Sequence, residues 1–406
     1  ALPTPVRLPP PLGQVPPLPD PLVLFAWAWS GPWSGLSLAA ACWSWHSAAP
    51  VADALWWACS AVAAGAMTAR RQTSASEVLA AFRGLGIRQS AFPEPPRQPL
   101  PTYLYAYFYY FFSRLRGQTD EGGVSIRTCG ASLPSRVDVW VQDGAVPRSL
   151  PVLLYVHGGG WRGGHMRAHP QAPLLQALAA RGWFVASVEY RKSRWPQQLE
   201  DTLAALRWTC GEEAARLGAD CKRLFLAGTS AGGQLASLLA LHLLREGQPL
   251  RGLVLFYPAL DPGDVTGATC AFPLRLPLPG ARAGRSMLAW FFERFVLRGD
   301  PSLWQSAQPL VQLKQEPAAA EAWPQTLIVH GGKDSVVPLA HSRHLLAVLA
   351  SAQGIEPASA AAGICRPRDA LIVVPGGRHT YDLAPTHASW AAFSGVIAWL
   401  EHRLEE

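Results

Sequence analysis

The sequence predicts an α/β protein: a mostly parallel central sheet with helices on both faces, preceded by an N-terminal hydrophobic helical region. From about residue 118 onward, short apolar runs alternate with amphipathic stretches of helical period. Continuous apolar runs suit strands covered on both sides, and helices between them are the crossovers that parallel strands need. Upstream, Asp53 is the one formally charged residue between Asp20 and Arg70, which is not the composition of a water-facing surface.

Taken in order, residues 1–21 form a proline-rich tail, extended and weakly packed. Residues 22–70 hold two apolar segments, starting at Leu22 and Val51. Each approaches the roughly 20 residues that cross a bilayer. Seven tryptophans stand at 27, 29, 33, 43, 45, 56 and 57, and tryptophan favours the membrane–water interface. The pair reads as a membrane-embedded or interfacial hairpin. A buried helical pair is the alternative, since Gly31, Pro32 and Gly35 interrupt the first segment. Arg70 and Arg71 close the second segment, which would put the following domain on the cytosolic side. The chain begins with alanine, as expected of a processed form or a fragment, which leaves an upstream targeting signal open.

Residues 71–117 read as a linker and an aromatic flap. Within them Ser74 and Glu77 fit a capping box, for a short helix stopping near Gly84. The run PTYLYAYFYYFF at 101–112 is too short to span a membrane and suits an interface or a flap.

The main domain is placed at 118–406. Its strand-like runs start at Val137, Pro151, Trp183, Arg223, Leu250, Pro324 and Ala370. Helical stretches are expected at 171–181, 197–217, 231–245, 338–352 and 387–405. A cap insertion is expected at about 271–298, including the apolar stretch MLAWFFERFVL.

Composition narrows the function classes. Apolar residues make up 49% of the chain, as in a globular core, and the net charge is +7. The basic residues are scattered, without interleaved aromatics, so nucleic acid is not an expected partner. The seven cysteines contain no CxxC pair, so neither a zinc site nor a dense disulfide framework is expected, and a reducing compartment is preferred.

Ligands of parallel sheets bind beyond the carboxyl ends of the strands. Four such ends carry reactive residues: His157-Gly158-Gly159-Gly160-Trp161, Gly228-Thr229-Ser230-Ala231-Gly232, Asp334 and His379. Gly228 to Gly232 fits G-x-S-x-G between a predicted strand and a predicted helix, the setting in which a serine is lifted from the sheet on a sharp turn. The glycines of the HGGG run let backbone amides approach a developing oxyanion, with Gly159, Gly160 and Ala231 as donors and His157 and Gly158 shaping the loop. Asp334 as orienting acid and His379 as base complete the chain order Ser, Asp, His. His330, His341 and His344 compete as base but lie beside Asp334. Asp334 could instead cap the next helix, and His379 could be an ordinary loop histidine.

With these motifs in place, the chain resembles the hormone-sensitive-lipase-like esterases of the α/β-hydrolase superfamily, in an actinobacterial-type carboxylesterase subgroup. The resemblance rests on HGGGW (157–161), EYRKSRWPQQLED (189–201), GTSAGG (228–233), HGGKDSVVP (330–338) and GGRHTYD (376–382). It implies the α/β-hydrolase fold and hydrolysis of carboxylic esters with no metal or organic cofactor. It also implies a small-molecule ester substrate, whose acyl group would lie among apolar side chains of the cap and flap. Formamidase or prenylcysteine methylesterase activity is the alternative chemistry, and a non-catalytic receptor or scaffold on the same fold is the alternative class. Many relatives have Asp where Thr229 stands, which puts a supporting hydrogen bond in question.

Overall fold

The computed structural model describes residues 75–87, 124–130, 134, 136–142, 149–166, 171–262, 287–354, 364–366, 369–382 and 386–406. The proline-rich tail, the hydrophobic hairpin, Ser74, the 101–112 flap and residues 271–286 of the expected cap lie outside the described residues. Among the described residues, no helix is long and apolar enough to cross a membrane.

The centre is a nine-stranded sheet in the order β1-β2-β4-β3-β5-β6-β7-β9-β8. Its strands are β1 (Val124–Cys129), β2 (Val137–Gln142), β3 (Leu150–Val156), β4 (Phe184–Val188), β5 (Ala219–Thr229), β6 (Gly252–Phe256), β7 (Thr326–Gly331), β8 (Ile364–Arg366) and β9 (Asp369–Val374). The six strands from β4 to β9 in that order pair in parallel. The pairings of β1 with β2, β2 with β4 and β8 with β9 are antiparallel. β4 and β6 are buried along their whole length, the burial that their continuous apolar sequences FVASV and GLVLF require.

Side-chain alternation divides the interior into two cores, one on each face. On β3, Val152, Leu154 and Val156 join one core while Leu153 and Tyr155 join the other. The first core is closed by α3 (Gln197–Thr209), α5 (Ala231–Arg245), α7 (Pro309–Gln315) and α9 (Ala340–Ala352). The second is closed by α1 (75–84), α2 (Ala172–Ala179) and α10 (His387–Glu405). The remaining α-helices among the described residues are α4 (Glu212–Arg216), α6 (Met287–Phe291) and α8 (Pro317–Glu321).

Several elements depart from the sequence reading. The stretch 197–217 is two helices, α3 and α4, broken at Cys210 and Gly211, where Gly211 is extended (φ −90°, ψ 176°). The break serves a disulfide between Cys210 and Cys221, 11 residues apart, with Cα atoms 5.4 Å from each other. The chain reverses between α4 and β5, so cysteines that look widely spaced in sequence meet. Closing a loop of this length contributes about 3 kcal/mol through the unfolded chain. The preference for a reducing compartment therefore loses its support. The edge strands β1 and β8 were not expected; β1 is half exposed and lacks a continuous apolar run.

The segment read as linker also contributes to the core. Val78 and Phe82 of α1 are buried, with Ile87 just beyond the helix, and Phe82 rests against Gly395 of α10. Phe82→Ala should destabilise the protein by about 3–5 kcal/mol, the usual cost of emptying a buried phenylalanine site. Urea denaturation reads this directly, and a loss under about 1 kcal/mol would show that α1 is not integral to the domain.

Candidate active site

The reactive residues converge at the carboxyl ends of β3, β5, β7 and β9. Ser230 stands between β5 and α5 with φ 50° and ψ −117°, a conformation that L-residues rarely adopt. The turn is held from both sides. The Ser230 N–H donates to Phe256 O at 2.9 Å, and its carbonyl accepts the N–H groups of Gly233, Gln234 and Ala259. The flanking glycines are steric requirements: a Cβ on Gly228 would meet Gly232 O at 2.3 Å, and one on Gly232 would meet Val156 O at 2.1 Å.

Ser230 Oγ lies 3.0 Å from His379 Nε2, and His379 Nδ1 lies 2.7 Å from Asp334 Oδ2. With Nδ1–H donating to the carboxylate, Nε2 is left to accept the serine proton. Asp334 Oδ1 accepts the backbone N–H groups of Val336 and Val337, both at 2.9 Å. Burial favours the neutral acid, but the facing His379 and the His330 side chain outweigh it and hold Asp334 well below the usual carboxylate range.

The competing histidines are otherwise engaged. His330 is buried between Ser342 Oγ (2.7 Å) and Val337 O (2.9 Å). His341 Nδ1 accepts the Asp261 N–H at 3.3 Å, and burial pushes its pKa down to about 4. His344 is half-buried on α9, and His379 is the histidine whose ring reaches Ser230.

The loop after β3 runs beside the serine. His157 is buried, stacks on Tyr190 with ring centroids 4.4 Å apart, and lies with Nε2 3.0 Å from Lys192 Nζ. Burial, then the adjacent ammonium, lowers its pKa, so it supports the loop as a neutral ring. Gly159 and Gly160 have φ of 123° and 58°. The N–H groups of Gly159, Gly160 and Ala231 donate to no acceptor among the described residues, as an oxyanion site needs. Gly158 differs: its N–H donates to Thr229 Oγ1 at 2.8 Å. Threonine at 229 thus supplies a hydrogen bond to this loop although it departs from the aspartate of many relatives.

The described residues of the expected cap, 287–298, pack on these loops. Phe292 contacts Trp161 edge-on, with centroids 4.6 Å apart, and the Trp195 N–H donates to Val296 O at 3.0 Å. Trp161 Nε1 donates to Gln234 Oε1 on α5. The EYRKSRWPQQLED motif is structural here: Arg191 forks onto the buried Asp201, and Lys192 pairs with Glu189. Sequence reasoning missed a buried polar group formed by Tyr155, Gln171, Tyr257 and Asp382. Its one signal in the sequence was Asp382 at the end of GGRHTYD.

Residues 153–354 match the α/β-hydrolase fold family. The chain is 32% identical over 279 residues to esterase LipQ of Mycobacterium tuberculosis, covering 65% of this chain and 58% of LipQ. It is 42% identical over 115 residues to carboxylesterase NlhH of the same organism, covering 27% of this chain and 35% of NlhH. It therefore spans little more than half of LipQ and about a third of NlhH. A bacterial heroin esterase superposes with a TM-score of 0.56 at 24% identity, over 74% of this chain and 91% of that one. Carboxyl esterase 2 of Tuber melanosporum superposes at 0.53 with 22% identity, over 71% and 89%. Identities this low speak for the fold alone. The chain belongs to the α/β-hydrolase superfamily, and within it the chain is similar to the hormone-sensitive-lipase-like esterases.

The depressed Asp334 makes stability depend on pH. Its folded value lies below the ordinary value near 4, so its contribution is complete above that pH and is lost as the pH falls further. Between about pH 4 and pH 2, the unfolding free energy of wild type should fall faster than that of Asp334→Asn, by up to about 1.4 kcal/mol per pH unit. Urea denaturation at several pH values measures this. Equal slopes would show that the carboxylate is not held ionised.

Proposed function

We propose that the protein is a carboxylic ester hydrolase working through a serine acyl-enzyme. The observation that carries this reading is the unbroken line from Ser230 Oγ through His379 to Asp334, at 3.0 and 2.7 Å. Relatives named esterase or carboxylesterase add weight to it.

In the proposed reaction His379 Nε2 takes the Ser230 proton as the oxygen attacks the ester carbonyl. Asp334 holds the ring in the required tautomer and stabilises its charged form. The developing oxyanion is received by the amides of Gly159, Gly160 and Ala231, at the N-terminus of α5, where partial positive charge collects. The imidazolium returns its proton to the leaving alcohol. His379 then activates water, and the acyl group departs as an acid. An apolar acyl substituent is favoured by the apolar stretch MLAWFFERFVL, whose Phe292 packs on Trp161 beside the glycine-rich loop.

The test is hydrolysis of p-nitrophenyl esters from acetyl to palmitoyl by the full chain. Ser230→Ala should lose at least about 10³-fold in kcat, because the nucleophile cannot be replaced in place. A Ser230→Ala protein that keeps most of the wild-type rate would sink the proposal. The chain-length optimum would measure the acyl pocket.

A further inference from the structure

Behind His379 the fold buries a second carboxylate that the proposed reaction does not use. Asp382 is 3% exposed and follows His379 by three residues. Its Oδ1 accepts the Tyr257 hydroxyl at 2.7 Å, and its Oδ2 accepts the Gln171 side-chain amide. Gln171 is wholly buried and accepts the Tyr155 hydroxyl at 2.8 Å through Oε1. Tyr155 Oη lies 3.1 Å from Thr229 Oγ1, the atom that accepts the Gly158 N–H.

The direction of these bonds follows from the two ends. A backbone N–H can only donate, and an ionised carboxylate can only accept. Tyr155 places its proton on Gln171, so Thr229 donates to Tyr155. One directed line of hydrogen bonds therefore runs from the oxyanion loop at Gly158 to the loop that carries His379.

This arrangement is an expensive way to fill a core. A buried carboxylate costs several kcal/mol unless it is paired. The donors to Asp382 are neutral: an amide, a phenol and its own backbone N–H. The titratable groups that face it are His379 and Tyr381 from its own loop, Tyr257 from the end of β6, and Tyr155 from β3. Of these His379 alone can carry positive charge. The Tyr257 ring meets the His379 ring edge-on, with centroids 4.9 Å apart. Between His379 and Asp382, Thr380 takes a left-handed backbone (φ 52°), a turn that needs an anchor on its far side.

We propose that Asp382 is a positioning residue: gripped by Tyr257 and Gln171, it holds the His379 loop in register with Ser230 and the oxyanion loop, and it supports the imidazolium formed during turnover. This rests on the hydrolase reading above. Burial raises the Asp382 pKa to about 6, against the hydrogen bonds from Tyr257 and its own backbone. The charged form is therefore present above that pH and is lost below it.

Full-length wild type and Asp382→Asn are compared in steady-state hydrolysis of p-nitrophenyl butyrate from pH 5 to 8.5, with thermal melts of each protein. At pH 8 the variant should lose about tenfold in kcat, with KM within about twofold. The deficit should close as the pH drops below 6, because wild-type Asp382 is then neutral as well. Tyr257→Phe keeps the ring but removes one donor, so the carboxylate should protonate at higher pH. That variant should be several-fold slow at pH 6.5 and near wild type at pH 8.5, and it decides the matter if Asp382→Asn does not fold.

A merely structural role would lower activity by one factor at every pH. Active wild type with variants unchanged, or slowed independently of pH, overturns this inference and leaves the hydrolase reading standing. Wild type that neither hydrolyses esters nor reacts at Ser230 with a fluorophosphonate overturns both.

Discussion

The backbone of Ser230 is the constraint around which the rest is arranged. An L-residue at φ 50°, ψ −117° costs on the order of 1–3 kcal/mol and persists only where its surroundings leave no alternative. Here they leave none. Its N–H and carbonyl are both engaged, and Gly228 and Gly232 interlock so closely that neither position admits a methyl group. Gly232 also lies against the carbonyls of Val156 and His157, where β3 gives way to the oxyanion loop. The Ser230 turn and the glycine-rich loop after β3 are thus two sides of one contact.

The same strain recurs around the site. Among the described residues, five other than glycine have positive φ, and Trp161, Ser230, Tyr257 and Thr380 are four of them. Each stands just beyond the carboxyl end of a strand: β3, β5, β6 and β9. Local rules are broken where reacting groups must be aimed, and the cost is carried by regular structure elsewhere. Two apolar cores supply it, with Leu154, Leu226 and Ile328 inward on one face and Tyr155, Phe225 and Val329 on the other. The segment 287–298 joins this frame: Phe292 seats on Trp161, and Trp161 is tied to α5 through Gln234.

What could be read from the sequence follows from how local each signal is. The α5 range 231–245 and the α10 range 387–405 were legible because helical period is written in adjacent residues. Ser230, Asp334 and His379 were legible because each follows a buried strand, and a parallel sheet gathers such ends on one side. The Cys210–Cys221 bridge was not, since it depends on a chain reversal that spacing alone does not reveal. Tyr155 and Gln171 were invisible for a related reason. One looks like an ordinary strand aromatic and the other like the start of a helix, and only the fold sets them 2.8 Å apart. The role of α1 was hidden because Val78 and Phe82 are few and stand far from the domain they complete.

The two buried carboxylates show how position assigns different work to one functional group. Asp334 receives two backbone N–H groups and faces His379 and His330, so its charge is held well below the usual carboxylate range. Asp382 is equally buried but receives only neutral donors, and its charge lies near the edge of what the site sustains. Environments that push like groups apart in this way are how one fold separates permanent from conditional charge. In the proposed reaction a permanent charge suits Asp334, which would fix the tautomer of His379 throughout turnover. A conditional charge suits a group that braces the loop from behind, because its ionised form is worth most when the imidazole it faces becomes positive. The line from Asp382 through Gln171, Tyr155 and Thr229 to Gly158 then gives the brace a reach beyond the histidine. It commits the Gly158 amide to structure, while the next two glycines are the ones whose amides would meet the oxyanion in the proposed reaction.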